Sequence, residues 1–364
     1  MSILQSAVAS IALTATLLSS AASADTFAYV ANADSNDINV FRVEPANGKI
    51  EAVETVAFPG VEKAGLSTPL AVSPDRHFLF AGLRAEPYVV LSFAIDAKSG
   101  RLSYRGRGPL ADSMANVATD RSGNFLFSAS YGGSKVAVNP IGADGIVGAP
   151  TQVIPTGLNA HAFLPSPDNA YVFATNLGSD QILSFRFDPT KGVVTPNDPA
   201  VVKVAEKNGP RHFVFHPNGK FVYLVNELSA ALLVFSYDAA HGTWREVQQE
   251  SALPEKFDGK PWAADLHLMP DGRFLYASER TSSTIRAFQV DAGSGRLTPL
   301  GSVLTEKQPR GFAIDQSGRL LAAVGELSNA MSVYAIDGES GALKFLQSYP
   351  AGKKPNWVEF VSFQ

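Results

Sequence analysis

The chain has 364 residues, with 30 basic against 34 acidic side chains and a net charge of −4, so electrostatic attraction to nucleic acid or anionic lipid is excluded as its business. Charged residues make up 18%, below the roughly 25% of an average soluble domain, while 45% hydrophobic residues with 30 Gly and 23 Pro describe a folded chain rich in turns. The absence of Cys removes disulfides, thiolate metal sites and cysteine nucleophiles together.

The first element is an apolar run, Ala7 to Leu18, followed by small residues and by Ala22-Ser23-Ala24, the A-x-A spacing read by signal peptidase. It predicts a signal peptide over residues 1–24, although no Lys or Arg precedes the run, and a single mature domain over 25–364. The run is too short to span a bilayer, which takes about 20 apolar residues. The expectation is an exported, soluble protein, periplasmic in a Gram-negative cell, with no membrane association after signal removal.

From there one phrase recurs: an apolar stretch, a turn of the PDG type, a Phe-rich stretch, a polar loop, a third alternating stretch and a Gly-containing turn. The clearest copies are HFVFHPNGKFVYLVNELSAALLVFSYDAAHGTWREV and DLHLMPDGRFLYASERTSSTIRAFQVDAGSGRLTPL. The first aromatic or apolar residue after the turn falls at Phe27, Phe78, Phe125, Tyr171, Phe221, Phe274 and Leu320, at spacings of 46 to 53 residues. Period-2 alternation repeated seven times at that spacing predicts an all-β fold, a seven-bladed β-propeller with four antiparallel strands per blade. The copy at Phe27 lacks its preceding strand, and Pro355-Asn356-Trp357-Val358-Glu359-Phe360 supplies one at the other end of the chain. The ring is therefore expected to close by the carboxy-terminal strand joining the amino-terminal blade, which leaves no half-blade with an unpaired edge.

In such a blade the start of the first strand lies beside the end of the second, at one mouth of the ring. Ten residues before each marker stand Thr68, Ala115, His161, Arg211, Ala264, Arg310 and, by the closure alignment, Pro355. Six residues after each marker stand Ala33, Arg84, Tyr131, Leu177, Glu227, Arg280 and Glu326. Seven of these fourteen positions are Arg, Glu or His, which makes this mouth the expected binding site, with structural ion pairs between blades as the alternative reading. Arg84, Arg211, Arg280 and Arg310 outnumber Glu227 and Glu326, so the site should favour anions or negative charge that develops during a reaction. His161 can serve as acid or base near neutral pH. Asp265 and His267, beside the Ala264 column, are further candidates for substrate contact, although a hydrogen-bonded structural pair suits their spacing better. His77, His216 and His241 fall in turns or loops and are given no chemistry.

No GxSxG elbow, HExxH helix, Walker loop or Gly-rich dinucleotide turn is present. No cofactor and no obligatory metal is expected, because a mouth with this much Arg is a poor place for another cation.

The segments NAHAFLPSPD, GPRHFVFHPNGKFVYLVNEL, WAADLHLMPDGRFLYASERT and KQPRGFAIDQSG resemble the bacterial 6-phosphogluconolactonase family of seven-bladed propellers, whose fold is shared with the fungal carboxymuconate lactonising enzyme. The resemblance runs over almost the whole mature chain and implies that His161, Arg211, Glu227 and Arg280 line a lactone site; the two mouth columns add Arg84, Tyr131, Arg310 and Glu326 as expected substrate contacts. It implies an enzyme, a lactonase whose partner is a small-molecule lactone. Sugar phosphates are kept in the cytoplasm, so the export segment shifts the expected substrate to D-glucono-1,5-lactone. The 6-phosphate ester, carboxymuconate lactonisation and a non-catalytic binding propeller are the alternatives. Expected roles are Glu227 or His161 as the base that activates water, and Arg211 with Arg280 as the clamp on the oxyanion.

Overall fold

The computed structural model describes residues 25–363. They form 28 strands in seven four-stranded antiparallel sheets, with one short 3-10 turn at Leu177–Ser179. Six of the seven markers are the first residue of a second strand, and Phe27 lies inside the strand Asp25–Asn32. The closure is as expected: Pro355–Phe363 pairs antiparallel with Asp25–Asn32 and completes the first blade.

Seven apolar clusters hold the ring together, each one filling the space between two neighbouring blades. The second strands are therefore packed on both faces, and Tyr171–Asn176 and Phe221–Asn226 are buried at every residue. The fourth strands face water on one side and lose this continuous burial, as in Thr243–Ser251. Burial on two faces explains why the second strands read as unbroken apolar runs.

The glycine that ends each phrase has a physical reason. Gly100, Gly145, Gly192, Gly242, Gly295 and Gly341 all have φ between 64° and 79°, a region that favours glycine. Each also lies against the aromatic marker of the preceding blade, where an added Cβ would come within 2.0 to 2.4 Å of a ring carbon of Phe27, Phe78, Phe125, Tyr171, Phe221 or Phe274. Tyrosine hydroxyls reinforce the same joint, Tyr223 donating to the Gly295 carbonyl at 3.0 Å and Tyr276 to that of Gly341 at 2.8 Å. Marker and glycine are thus two halves of one lock between blades.

Candidate active site at the mouth of the ring

The inner strands begin at the mouth, and most begin with an irregularity. Pro210 pairs with Asn226 and His212 with Val225, which leaves Arg211 as the extra residue of a β-bulge. The same displacement isolates Ala115, His161 and Arg310. In the sixth blade it falls at Ala264 and Asp265. A bulge kinks the strand and re-aims a side chain, so one backbone device turns this column out of the ladder. In the closing blade Pro355 stays paired with Asn32, and the bulged residue is Asn356, one place beyond the position expected from spacing. The second column consists of the residues that follow the second strands: Ala33, Tyr131, Leu177, Glu227, Arg280 and Glu326 directly, and Arg84 two residues after Gly82.

Glu227 is the centre of the charged group. Its Oε2 accepts the Arg211 Nε–H at 2.9 Å and lies 2.8 Å from Arg280 Nη2. Its other oxygen accepts the indole N–H of Trp262 at 3.3 Å. Arg211 is 1% exposed and also donates to the Ala264 carbonyl, while Arg280 is 4% exposed and donates to the carbonyls of Trp262 and Ala263, both at 3.1 Å. Burial alone would raise the Glu227 carboxyl, but Arg280 and Arg211 outweigh it and hold the group below the usual glutamate value. Burial and the neighbouring guanidiniums push Arg211 down to about 10 and Arg280 to about 9, so both stay charged at neutral pH.

Across the mouth the arrangement is looser. Arg84 has no carboxylate partner within ion-pair distance among the described residues: it donates to the hydroxyls of Ser67 at 3.0 Å and Ser113 at 3.3 Å. Arg310 donates to the same Ser67 hydroxyl at 3.4 Å and stands 3.8 Å from Glu326, whose other oxygen accepts the Gln308 amide at 3.0 Å. Burial, with Arg310 and Arg211 nearby, pushes the Arg84 guanidinium down to about 10.

His161 is 3% exposed, and its Nδ1 is buried without a hydrogen-bond partner. Tyr131 meets its ring edge-on at 6.0 Å between centroids, and His212 does so at 5.0 Å. Burial first, then the charges of Arg211, His212, Arg310 and Arg84, hold this imidazole well below the ordinary histidine value, so it is neutral across physiological pH.

Asp265 and His267 line an axial cavity of about 330 Å³ rather than the charged group at the mouth. Asp265 accepts from His212 Nδ1 at 2.8 Å and lies 3.2 Å from His267 Nε2. Burial opposes its charge, yet His267 and His212 hold it far below the usual carboxylate value. His212, pushed down to about 4 by burial and Arg211, stands between Asp265 and Arg211 and joins cavity to mouth. Spacing had singled out neither His212 nor two other members of this architecture, Trp262 in the loop before the sixth inner strand and Glu359 in the cavity wall.

Among the described residues no group of three or more His, Cys, Asp or Glu is placed to hold a metal ion, and no helix is long and apolar enough to cross a membrane. The proposed signal peptide, residues 1–24, lies outside the described residues.

Comparison with known proteins gives a consistent picture. The family signature described as Lactonase, 7-bladed beta-propeller matches residues 31–360. A protein of Serratia proteamaculans named 6-phosphogluconolactonase is 41% identical over 335 residues, covering 92% of this chain and 98% of the relative. Its namesake from Pectobacterium carotovorum is 40% identical over 334 residues, with the same two shares. Among solved structures, the periplasmic gluconolactonase of Pseudomonas aeruginosa superposes with a TM-score of 0.84 at 29% identity, covering 93% of this chain and all of that one.

Proposed function

The chain belongs to the seven-bladed β-propeller lactonase family, and from that premise we propose that it opens D-glucono-1,5-lactone to gluconate. Membership makes it a lactone-hydrolysing enzyme. The observation that carries the proposal is the charge pattern of the mouth, where the guanidiniums of Arg211, Arg310 and Arg84, from three blades, stand near a neutral imidazole whose Nδ1 has no hydrogen-bond partner among the described residues.

In the proposed reaction water attacks the lactone carbonyl carbon and gives up a proton to His161, while the carbonyl oxygen, now an oxyanion, is held by Arg211 and Arg280. The tetrahedral intermediate collapses, the ring C–O bond breaks, and the ring oxygen takes the proton back from the imidazolium. The product acid then releases one proton to solvent. Geometry favours His161 over Glu227 as base, because both oxygens of Glu227 are engaged while His161 Nδ1 has no hydrogen-bond partner among the described residues. Glu227 acts instead as the tether that fixes the two arginines, which allows the clamp to be in place before charge develops.

Two considerations support the unphosphorylated substrate: the export-like segment at residues 1–24 and the structural relative that is itself named a periplasmic gluconolactonase. The periplasm is the corresponding proposed location. A second reading, the 6-phosphate ester, is favoured by the relatives that carry that name and by Arg84, a half-buried cation with no carboxylate partner among the described residues. Steady-state opening of both lactones by purified protein, corrected for spontaneous hydrolysis, separates the readings. The proposal expects the larger kcat/KM on the free lactone; a tenfold or greater preference for the phosphate would replace it with the second reading.

A further inference from the structure

The structure also assigns a role to Trp262: we propose that its indole is the platform on which the pyranose ring of the substrate lies, held by its C–H face. This inference rests on the sugar-lactone reading above.

Trp262 is pinned more firmly than a surface tryptophan needs to be. Its backbone N–H donates to Glu279 Oε1 at 2.6 Å, and its carbonyl accepts both the backbone N–H and the Nε–H of Arg280 at 3.1 Å. The Arg280 guanidinium carbon stands 3.9 Å from the indole centroid, and the pyrrole edge donates to Glu227. One face and one edge are therefore committed to the charged group, yet the residue remains 38% exposed. The remaining face and the benzo edge have no ring or hydrogen-bond contact among the described residues, which leaves an apolar plane beside Glu227 and Arg280.

A sugar lactone is complementary to such a plane. The face of its ring presents C–H bonds and its rim presents hydroxyls, so a ring lying on the indole directs its polar rim toward the charged groups. The planar ester at C1 flattens one end of the ring and improves contact with an aromatic surface. The other two tryptophans are differently placed: Trp244 is 6% exposed within the core of the fourth and fifth blades, and Trp357 donates to Glu359 in the axial cavity.

The test compares Trp262→Phe, Trp262→Leu and Trp262→Ala with the unaltered protein on D-glucono-1,5-lactone, together with the change in tryptophan emission on adding gluconate. Expected is a KM raised about tenfold in the Ala and Leu variants with kcat changed less than about threefold, a Phe variant near the unaltered value, and a gluconate-dependent emission change that the Phe variant loses. A residue that merely supports Arg280 would lower kcat instead, and that result, an unchanged KM, or equal behaviour of Phe and Leu would overturn the platform. An unaltered protein that neither opens the lactone nor responds to gluconate would overturn the functional reading, and this inference with it. Turnover with an unchanged KM in the variants overturns the platform alone.

Discussion

The mouth and the axial cavity each hold a glutamate and a histidine whose charge they treat in opposite ways. At the mouth, burial is accompanied by an excess of guanidinium, so Glu227 is held below its ordinary value and His161 is kept neutral. In the cavity, the carboxyl groups of Asp265 and Glu359 share one lining. Burial, aided by Asp265, pushes Glu359 up to about 7, and Asp265 outweighs burial to raise His267. Glu359 keeps only the Trp357 N–H, at 2.8 Å, against two guanidiniums for Glu227. Burial alone thus decides nothing about a carboxyl group; the partners that accompany it decide its charge. The mouth is the end where guanidinium is in excess.

Breaking the mouth's side of this contrast should have the largest effect. Under the proposed mechanism Arg211→Ala removes a donor to the developing oxyanion, and it removes half of the tether on Glu227; it is expected to lower kcat/KM about 100- to 1000-fold in a lactone-opening assay. Near-normal turnover in a variant whose folding is confirmed by circular dichroism would remove Arg211 from the clamp.

The looser half of the mouth gives a smaller effect. Arg84→Ala deletes a cation held only by hydroxyls and is expected to raise KM for the 6-phosphate ester about tenfold, the scale of one charge-assisted hydrogen bond, while altering KM for the free lactone less than about threefold. Equal changes on both substrates would show that Arg84 contacts the sugar lactone itself.

The contrast sharpens most cleanly as two stability profiles of opposite sign. Glu227 has a lowered folded value, so the stability it adds is present above its unfolded value near 4.5 and is lost as pH falls through the folded value. Glu359 has a raised one, so stability is lost as pH rises from its unfolded value near 4.5 to about 7. Glu227→Gln should therefore lower Tm at pH 7, by the equivalent of about 3 to 5 kcal/mol for an uncompensated buried charge. Glu359→Gln should raise Tm at pH 8 and leave it nearly unchanged at pH 4, with an upper bound of roughly 3 kcal/mol because the cavity admits water. Thermal melts across pH 4 to 8 check both, and shifts of the same sign would refute the comparison.

The sequence made the ring legible because the lock between blades imposes a repeating aromatic and a repeating glycine, which is why Phe78 and Gly145 stand out without a structure. It also made Arg211, Glu227 and Arg280 legible, since strand starts and ends share one mouth wherever the turn between them has constant length. Bulges have no periodic signature, so the closing column was placed at Pro355 instead of Asn356. Glu359 and His212 escaped because they lie further along inner strands, where they read as ordinary alternation. Trp262 escaped because loops before the strands vary in length. An aromatic residue immediately before an inner strand was the available signal.

One consequence belongs to the pairing of Pro355–Phe363 with Asp25–Asn32. These two segments enclose residues 33–354 between them, so during synthesis the circle stays unlatched until residues 355–363 have been made. Arg310 and Arg84, whose guanidiniums flank Ser67 across that junction, meet only after it shuts. A partly made chain therefore has no assembled pocket, and catalytic competence should arrive in one late step.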